Sequence, residues 1–172
     1  MSQASSTTYV TGDRAAGGTI VTFDLAGQFF GVEVNHVREI LDRQPLAQVP
    51  NAGASCVGLI DTRGQSIPVI DLACRFGLVR ADGAEPGRIV VFERADRSGV
   101  PPLGVLADRV LDVMEIDETG LEDPPRKAFL PEAQDTVRGL TRLDGRLVYL
   151  LDIGALLSSE PGPGPRHGRC TA

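Results

Sequence analysis

From Thr19 onward, apolar and polar positions along the chain recur with a period of two rather than 3.6, the pattern of half-buried strands. Thr19-Ile20-Val21-Thr22-Phe23-Asp24-Leu25 alternates after its first positions, breaks at Ala26-Gly27-Gln28 and resumes from Phe29 to Val34, which predicts a β-hairpin. Val57 to Thr62 and Gln65 to Ile70, on either side of Arg63-Gly64, predict a second hairpin. Arg88 to Glu93 and Leu103 to Ala107 predict a third, with Ser98-Gly99 and Pro101-Pro102 in its loop. The clearest is Arg138 to Leu143 and Arg146 to Leu151 around Asp144-Gly145, since both residues of a two-residue hairpin turn must tolerate positive φ and Asp-Gly does so. Asp71 and Asp152 each stand just before a short apolar stretch, where a carboxylate caps the first turn of a helix, so a short helix is predicted after each. A third short helix is predicted near Pro131 to Asp135.

The chain also repeats itself. Ile20-Val21-Thr22-Phe23 matches Ile89-Val90-Val91-Phe92 at an offset of 69 residues, and Gly31 to Ile40 matches Gly104 to Val113 at an offset of 73. Gly58-Leu59 through Gly64 to Asp71-Leu72 matches Gly139-Leu140 through Gly145 to Asp152-Ile153 at an offset of 81. The growing offset places the insertions in loops, as a duplicated structural unit requires. On this reading Gly64 and Gly145 with Asp144 are turn residues, and Asp71 and Asp152 are helix caps. A unit of short strands this small hides its edges best by curling into a barrel, so the expected fold is mainly β, two small barrels with short helices. A seam between two barrels is where a partner or ligand would bind. Residues 19–157 form the folded domain, with a first lobe of about 19–80, a second of about 88–157, and room for strand exchange between them. Residues 1–18 and the Pro/Gly-rich stretch 158–172 hold too little apolar surface to offset ordering entropy and are expected to be disordered.

Composition narrows the function. A chain of 172 residues fits one domain or two small lobes, and it can bury enough surface to need neither metal nor disulfide. The 17 basic and 23 acidic residues give a net charge of −6, the wrong sign for neutralising phosphates, and no Trp, 2 Tyr and 6 Phe offer few stacking platforms for a single-strand binder. No apolar run is long enough to span a membrane, and the first residues carry neither a basic start nor an apolar stretch, so membrane insertion and secretion are not expected. Three scattered cysteines, Cys56, Cys74 and Cys170, form no CxxC pair, which favours a reduced, cytoplasmic setting. Phosphate-cradling glycine loops, a zinc-ligand spacing and a serine-nucleophile elbow are all missing. His36 lies in a strand-like run, and Cys56 and Cys74 read as small buried hydrophobes. Asp108 and Asp112, four apart in a strand pattern, read as a solvated edge. No cofactor, metal or catalytic residue is predicted.

The repeat breaks at one informative place. Arg63-Gly64 stands where the second copy has Asp144-Gly145, so a long cation occupies a hairpin tip, able to meet carboxylates or carbonyls of a partner. The stretch Val57-Gly58-Leu59-Ile60-Asp61-Thr62-Arg63-Gly64-Gln65-Ser66-Ile67-Pro68-Val69-Ile70-Asp71-Leu72 resembles the signature of the CheW family of bacterial chemotaxis coupling proteins, as do Val37-Arg38-Glu39-Ile40 and Gly139 to Leu157. Asp61-Thr62 departs from the usual Asn-Leu of that signature. The resemblance implies two five-stranded SH3-like barrels with three hydrophobic cores and no catalysis. It further implies an adaptor at the inner membrane face, coupling chemoreceptor cytoplasmic tips to the regulatory domain of a CheA-type histidine kinase, with other CheW-like domains as further partners in arrays. Carried over by position, the receptor- and kinase-binding set is Val37, Glu39, Gly58, Arg63, Ile89 and Val113. The rival reading is a small-molecule-binding or hydrolytic barrel using the inter-lobe seam.

Overall fold

The computed structural model describes residues 18–96, 98–129 and 134–159. Among these the chain forms ten strands: β1 (Thr19–Leu25), β2 (Gln28–Glu33), β3 (Val37–Asp42), β4 (Cys56–Thr62), β5 (Gln65–Ile70), β6 (Arg88–Phe92), β7 (Leu103–Ala107), β8 (Arg109–Glu115), β9 (Val137–Leu143) and β10 (Arg146–Leu151). Two short helices, α1 (Leu72–Arg75) and α2 (Ile153–Ser158), follow β5 and β10. Asp71 accepts a hydrogen bond from the Cys74 amide at 3.3 Å and Asp152 one from the Ala155 amide at 2.9 Å, satisfying first-turn donors. The helix expected near Pro131 to Asp135 falls mainly on residues 130–133, outside the described residues. The second helix runs through Ser158, one residue past the expected boundary at Leu157.

The strands form two five-stranded sheets, β8-β1-β2-β10-β9 and β3-β6-β7-β5-β4. Replacing each strand by its counterpart five places on turns the second order into the first, so the sequence repeat is a structural repeat. The sheets do not divide the chain at 80–88: they use the strand exchange for which the expected lobes of about 19–80 and 88–157 left room. The β1–β2 hairpin of the first copy leaves to join β8, β9 and β10, and the β6–β7 hairpin of the second joins β3, β4 and β5. The parallel pairs β2·β10 and β5·β7 explain the exchange. Parallel neighbours cannot be joined by a tight turn, so each is most simply made from strands distant in the chain. Each sheet then curls toward closure through an isolated bridge, Ala47 to Leu59 in one and Glu122 to Leu140 in the other.

Three apolar clusters result. One fills the barrel of β1, β2, β8, β9 and β10 with Ile20, Ile116, Leu143, Val148 and Leu150. Another fills the second barrel with Ile60, Ile67, Val69, Ile89, Val91 and Leu106. The largest lies between the sheets and takes Val21, Phe23 and Leu25 from β1 and Val90 and Phe92 from β6. Phe23 and Phe92, which occupy the same position in the two copies, are both fully buried and meet there with ring centroids 6.1 Å apart. Two repeat-equivalent side chains can touch only near the axis that relates the copies.

Local chemistry holds the strand pairs in register. Ala26-Gly27, Arg63-Gly64 and Asp144-Gly145 all have positive φ at both positions, which gives three two-residue turns whose twist matches the strands they join. Gly58 is required for a different reason. Its φ is +149°, and a Cβ there would lie 2.7 Å from the Ala47 carbonyl oxygen, at the bridge that closes the barrel.

At the β7–β8 junction the chain crosses between sheets, and Asp108 holds that crossing. One carboxylate oxygen accepts from the Ala26 amide in the β1–β2 turn at 2.5 Å, and the other pairs with Arg80 Nε at 2.6 Å. Arg80 also donates two hydrogen bonds to the Asp71 carboxylate, at 2.7 and 3.1 Å, so one guanidinium joins the α1 cap to the crossing. Nearby, buried Asp24 accepts from the Gly27 amide at 2.7 Å and pairs with Arg109 at 2.7 Å. Asp108 is thus not a solvated edge but the middle of a half-buried ionic chain. Asp112 is exposed, and the Thr22 hydroxyl bonds its backbone at the bulge between β1 and β8.

Two expectations follow. Gly58→Ala should destabilise the fold by about 2 kcal/mol or more, against about 1 kcal/mol for Gly145→Ala, whose added Cβ meets nothing within 4 Å. Urea denaturation of the two variants makes that comparison. Arg80→Met, which strands two carboxylates, should cost about 3 kcal/mol, and the loss should shrink when Asp108→Ala is added in a double-mutant cycle.

Candidate functional site

The six positions carried over from the sequence separate into two groups. Ile89 is fully buried in the second barrel, packed with Val91 and Leu106, and Gly58 is buried at the barrel closure. Both lie beneath the surface of the described residues and hold the strands that carry the exposed positions. Val37 is half-buried against the central cluster, while Val113 is 63% exposed and the Arg63 side chain 72% exposed.

Arg63 and Glu39 come together. The Glu39 carboxylate lies 3.7 Å from Arg63 Nη2 and 3.7 Å from Arg38 Nε, and it accepts from the Thr62 hydroxyl at 3.2 Å. Arg38 also donates to the Gln65 side chain at 2.8 Å. These contacts join β3 to the β4–β5 hairpin, the two edges of one sheet, so the polar cluster helps to close the barrel while Arg63 keeps donors facing solvent. Thr62 explains half of the departure from the family signature: its hydroxyl serves Glu39. Asp61, the other half, is exposed on β4 beside the hairpin tip.

Val37 does not join this cluster. A bulge at Arg38 sets Val37 opposite Phe92 but Glu39 opposite Val91. Phe92 faces the central core and Val91 the barrel interior, so Val37 and Glu39 lie on opposite faces of the sheet.

Val113 belongs with a residue that sequence reasoning passed over as a site. Ile40 is its counterpart in the repeat and is 44% exposed. Ile40 pairs with Val90 and Val113 with Val21, and both partners are core residues at equivalent positions. Each edge strand therefore carries the central apolar face one residue beyond the covered core. Val34, in the 3-10 turn (Val34–His36) that carries the chain from β2 to β3, adds a further exposed apolar side chain at 43%. The signal was available: two exposed apolar residues at matched places in a duplicated unit. His36 in that turn bonds the Glu93 carbonyl through Nδ1 at 3.2 Å, a structural role rather than a strand position.

Elsewhere the chemistry is that of turns and packing. Among the described residues no group of three or more His, Cys, Asp or Glu could hold a metal ion. The Asp96 carboxyl is held down at about 2 by Arg94 and by Ser98, in an exposed turn and not in a cleft. Two grooves of about 190 Å³ each flank Arg75, below the roughly 300–1,000 Å³ typical of small-molecule sites. They are repeat-equivalent: one lies between the end of α1 and β2, β9 and β10, the other between the end of α2 and β4, β5 and β7. Cys56 is half-buried in the second groove with a free thiol. Cys74, expected as an inert buried hydrophobe, is half-buried and disulfide-bonded. No helix among the described residues is long and apolar enough to cross a membrane.

Comparison with known proteins agrees with this architecture. The model of the CheW-like domain matches residues 19–161. A probable chemotaxis protein CheW of Rhizobium etli is 31% identical over 147 residues, covering 86% of this chain and 89% of its own. The chemotaxis protein CheW of Treponema pallidum is 29% identical over 145 residues, covering 82% of each. Among solved structures, the scaffolding protein TtCheW from Thermoanaerobacter tengcongensis superposes with a TM-score of 0.72 at 26% identity, covering 91% of this chain and 97% of that one. With its duplicated strands, three apolar clusters and R-G hairpin tip all in place, the chain belongs to the CheW-like family of chemotaxis scaffold proteins.

Proposed function

We propose that this protein is a non-catalytic adaptor that couples chemoreceptor cytoplasmic tips to the regulatory domain of a CheA-type histidine kinase. It would work in the cytoplasm at receptor arrays, where other CheW-like domains are further partners. The observation that carries the reading is the exposed margin of the central core, Ile40 and Val113 at matched positions on the two edge strands. Apolar side chains extending a core face into solvent gain when a partner covers them. Arg63, fixed by Glu39 at a hairpin tip with most of its side chain exposed, supplies a charged contact at the rim. Function on this account is binding free energy and geometry. Each contact is modest, and strength comes from simultaneous engagement of several partners.

The small-molecule alternative finds grooves of the wrong size and no convergent acid–base pair in them. Val113→Asp and Arg63→Glu should each weaken binding to a chemoreceptor tip fragment about tenfold while keeping the folded circular-dichroism signal, the urea midpoint unchanged for Val113→Asp and slightly lowered for Arg63→Glu, which loses the Glu39 pair. Ile89→Ala should behave in the opposite way, losing about 2–5 kcal/mol of stability because it empties a buried site. Full coupling by Val113→Asp, or unfolding of Arg63→Glu, would contradict the assignment.

A further inference from the structure

The two grooves beside Arg75 are the same place in the two copies, but they are not walled alike. Phe30, Phe76 and Tyr149 wall the groove beside α1. Their counterparts beside α2 are Leu103, Leu157 and Pro68, at the offsets of 73 and 81 residues that relate the copies. A fourth ring, Phe129, closes the first groove, edge-on to Tyr149 with centroids 6.1 Å apart. That ring has no counterpart. The Ser55 and Thr136 carbonyls, which accept from the Asp71 and Asp152 amides at 2.8 Å, mark the same point in each copy, as do the bridging residues Ala47 and Glu122. Between these marks the second copy has thirteen residues and the first only seven, and Phe129 stands in the longer stretch. Nothing from the shorter stretch lines the groove beside α2 among the described residues.

We propose that the groove beside α2 docks a partner segment presenting an aromatic side chain next to an acidic one, the ring taking the place that Phe129 fills in the other copy. This goes beyond the adaptor reading and does not rest on it, since the groove shares no residue with the Ile40 and Val113 margin.

Size, surface and charge all fit that occupant. A volume of about 190 Å³ takes one side chain rather than a cofactor. Pro68, Pro101 and Leu157 offer apolar faces to a ring, and an aromatic anchor in such a pocket carries much of the binding energy of an interface. Arg75 is the charged residue of the lining, and its Nη2 donates to the Ser159 hydroxyl on the same wall at 2.9 Å. A carboxylate beside the ring complements that guanidinium, whereas a lysine or arginine there would oppose it. The second copy thus supplies its own aromatic cover, and the first leaves the equivalent place to another molecule.

The test uses the full chain and the peptide acetyl-Gly-Asp-Phe-Gly-amide, with two controls in which alanine replaces the phenylalanine or lysine the aspartate. The first peptide should bind with a dissociation constant of about 1 mM and shift the methyl resonances of Ile70, Leu103 and Leu157. Cys56 lines the groove with a free thiol and reports occupancy. At about four times its dissociation constant the peptide should slow iodoacetamide alkylation of Cys56, read by peptide mapping, about fivefold. The alanine peptide should give no protection and the lysine peptide markedly less. Pro101→Glu, at an exposed position on the rim, should abolish the shifts while the circular-dichroism signal stays that of the folded protein. Equal protection by the alanine peptide, or shifts at Phe76 and Tyr149 with Leu103 and Leu157 silent, would overturn the proposal. So would a Cys56 closed to alkylation in the free chain and opened by removing the residues after Ser159, because the chain would then cover this groove itself. No readout involves a receptor or kinase, so failure here leaves the adaptor reading untouched.

Discussion

Phe23 and Phe92 meet at the centre of the molecule, one ring from each copy of the repeat, both without solvent contact. Around that contact the two sheets bury their largest shared apolar face. This constraint organises the rest. Because the β1–β2 and β6–β7 hairpins are exchanged, neither sheet can be completed by its own half of the chain. The core between the sheets is also where the chain crosses twice, once through Val34–His36 and once at Asp108. Burial of two full aromatic side chains and their neighbours supplies the driving force, and the Asp71–Arg80–Asp108 chain gives the second crossing its direction.

The same constraint produces the surface. A core face that stops at the last covered residue leaves no apolar margin, whereas here the edge strands β3 and β8 continue past it. Ile40 and Val113 stand beside Val90 and Val21 with nothing among the described residues over them to match the cover of those neighbours. The internal symmetry makes this margin a pair. The turn that breaks the symmetry, Arg63 in place of Asp144, adds charge on one side alone. On the adaptor reading proposed above, a duplicated fold with one asymmetric tip offers different faces to different partners.

Much of this was legible from residue order. Asp-Gly and its counterparts located the hairpin turns because few residues accept positive φ at both positions, and the two capping aspartates marked the helices. The repeat foretold two equivalent sheets. Strand exchange could not be read in detail, since a hairpin pattern specifies its own two strands but not the parallel neighbour beside them. Ile89 enters the binding set only by its position in the family signature; Ile89-Val90-Val91-Phe92 is apolar throughout and buried on both faces, so no alternation in the sequence separates its inward from its outward positions. Gly58 packs against Ala47, eleven residues away in sequence, a close approach that residue order does not display. Arg80 escaped notice for a related reason: its partners Asp71 and Asp108 belong to separate elements brought together only by the fold.

The account stands or falls on where a partner sits. Titrating isotopically labelled protein with a chemoreceptor tip fragment and following amide and methyl resonances would locate the contact directly. Perturbations should concentrate at Ile40, Val113 and Arg63, on the margin of the central core and its charged rim. Perturbations confined to the grooves beside α1 and α2, with Ile40 and Val113 unmoved at saturation, would contradict it.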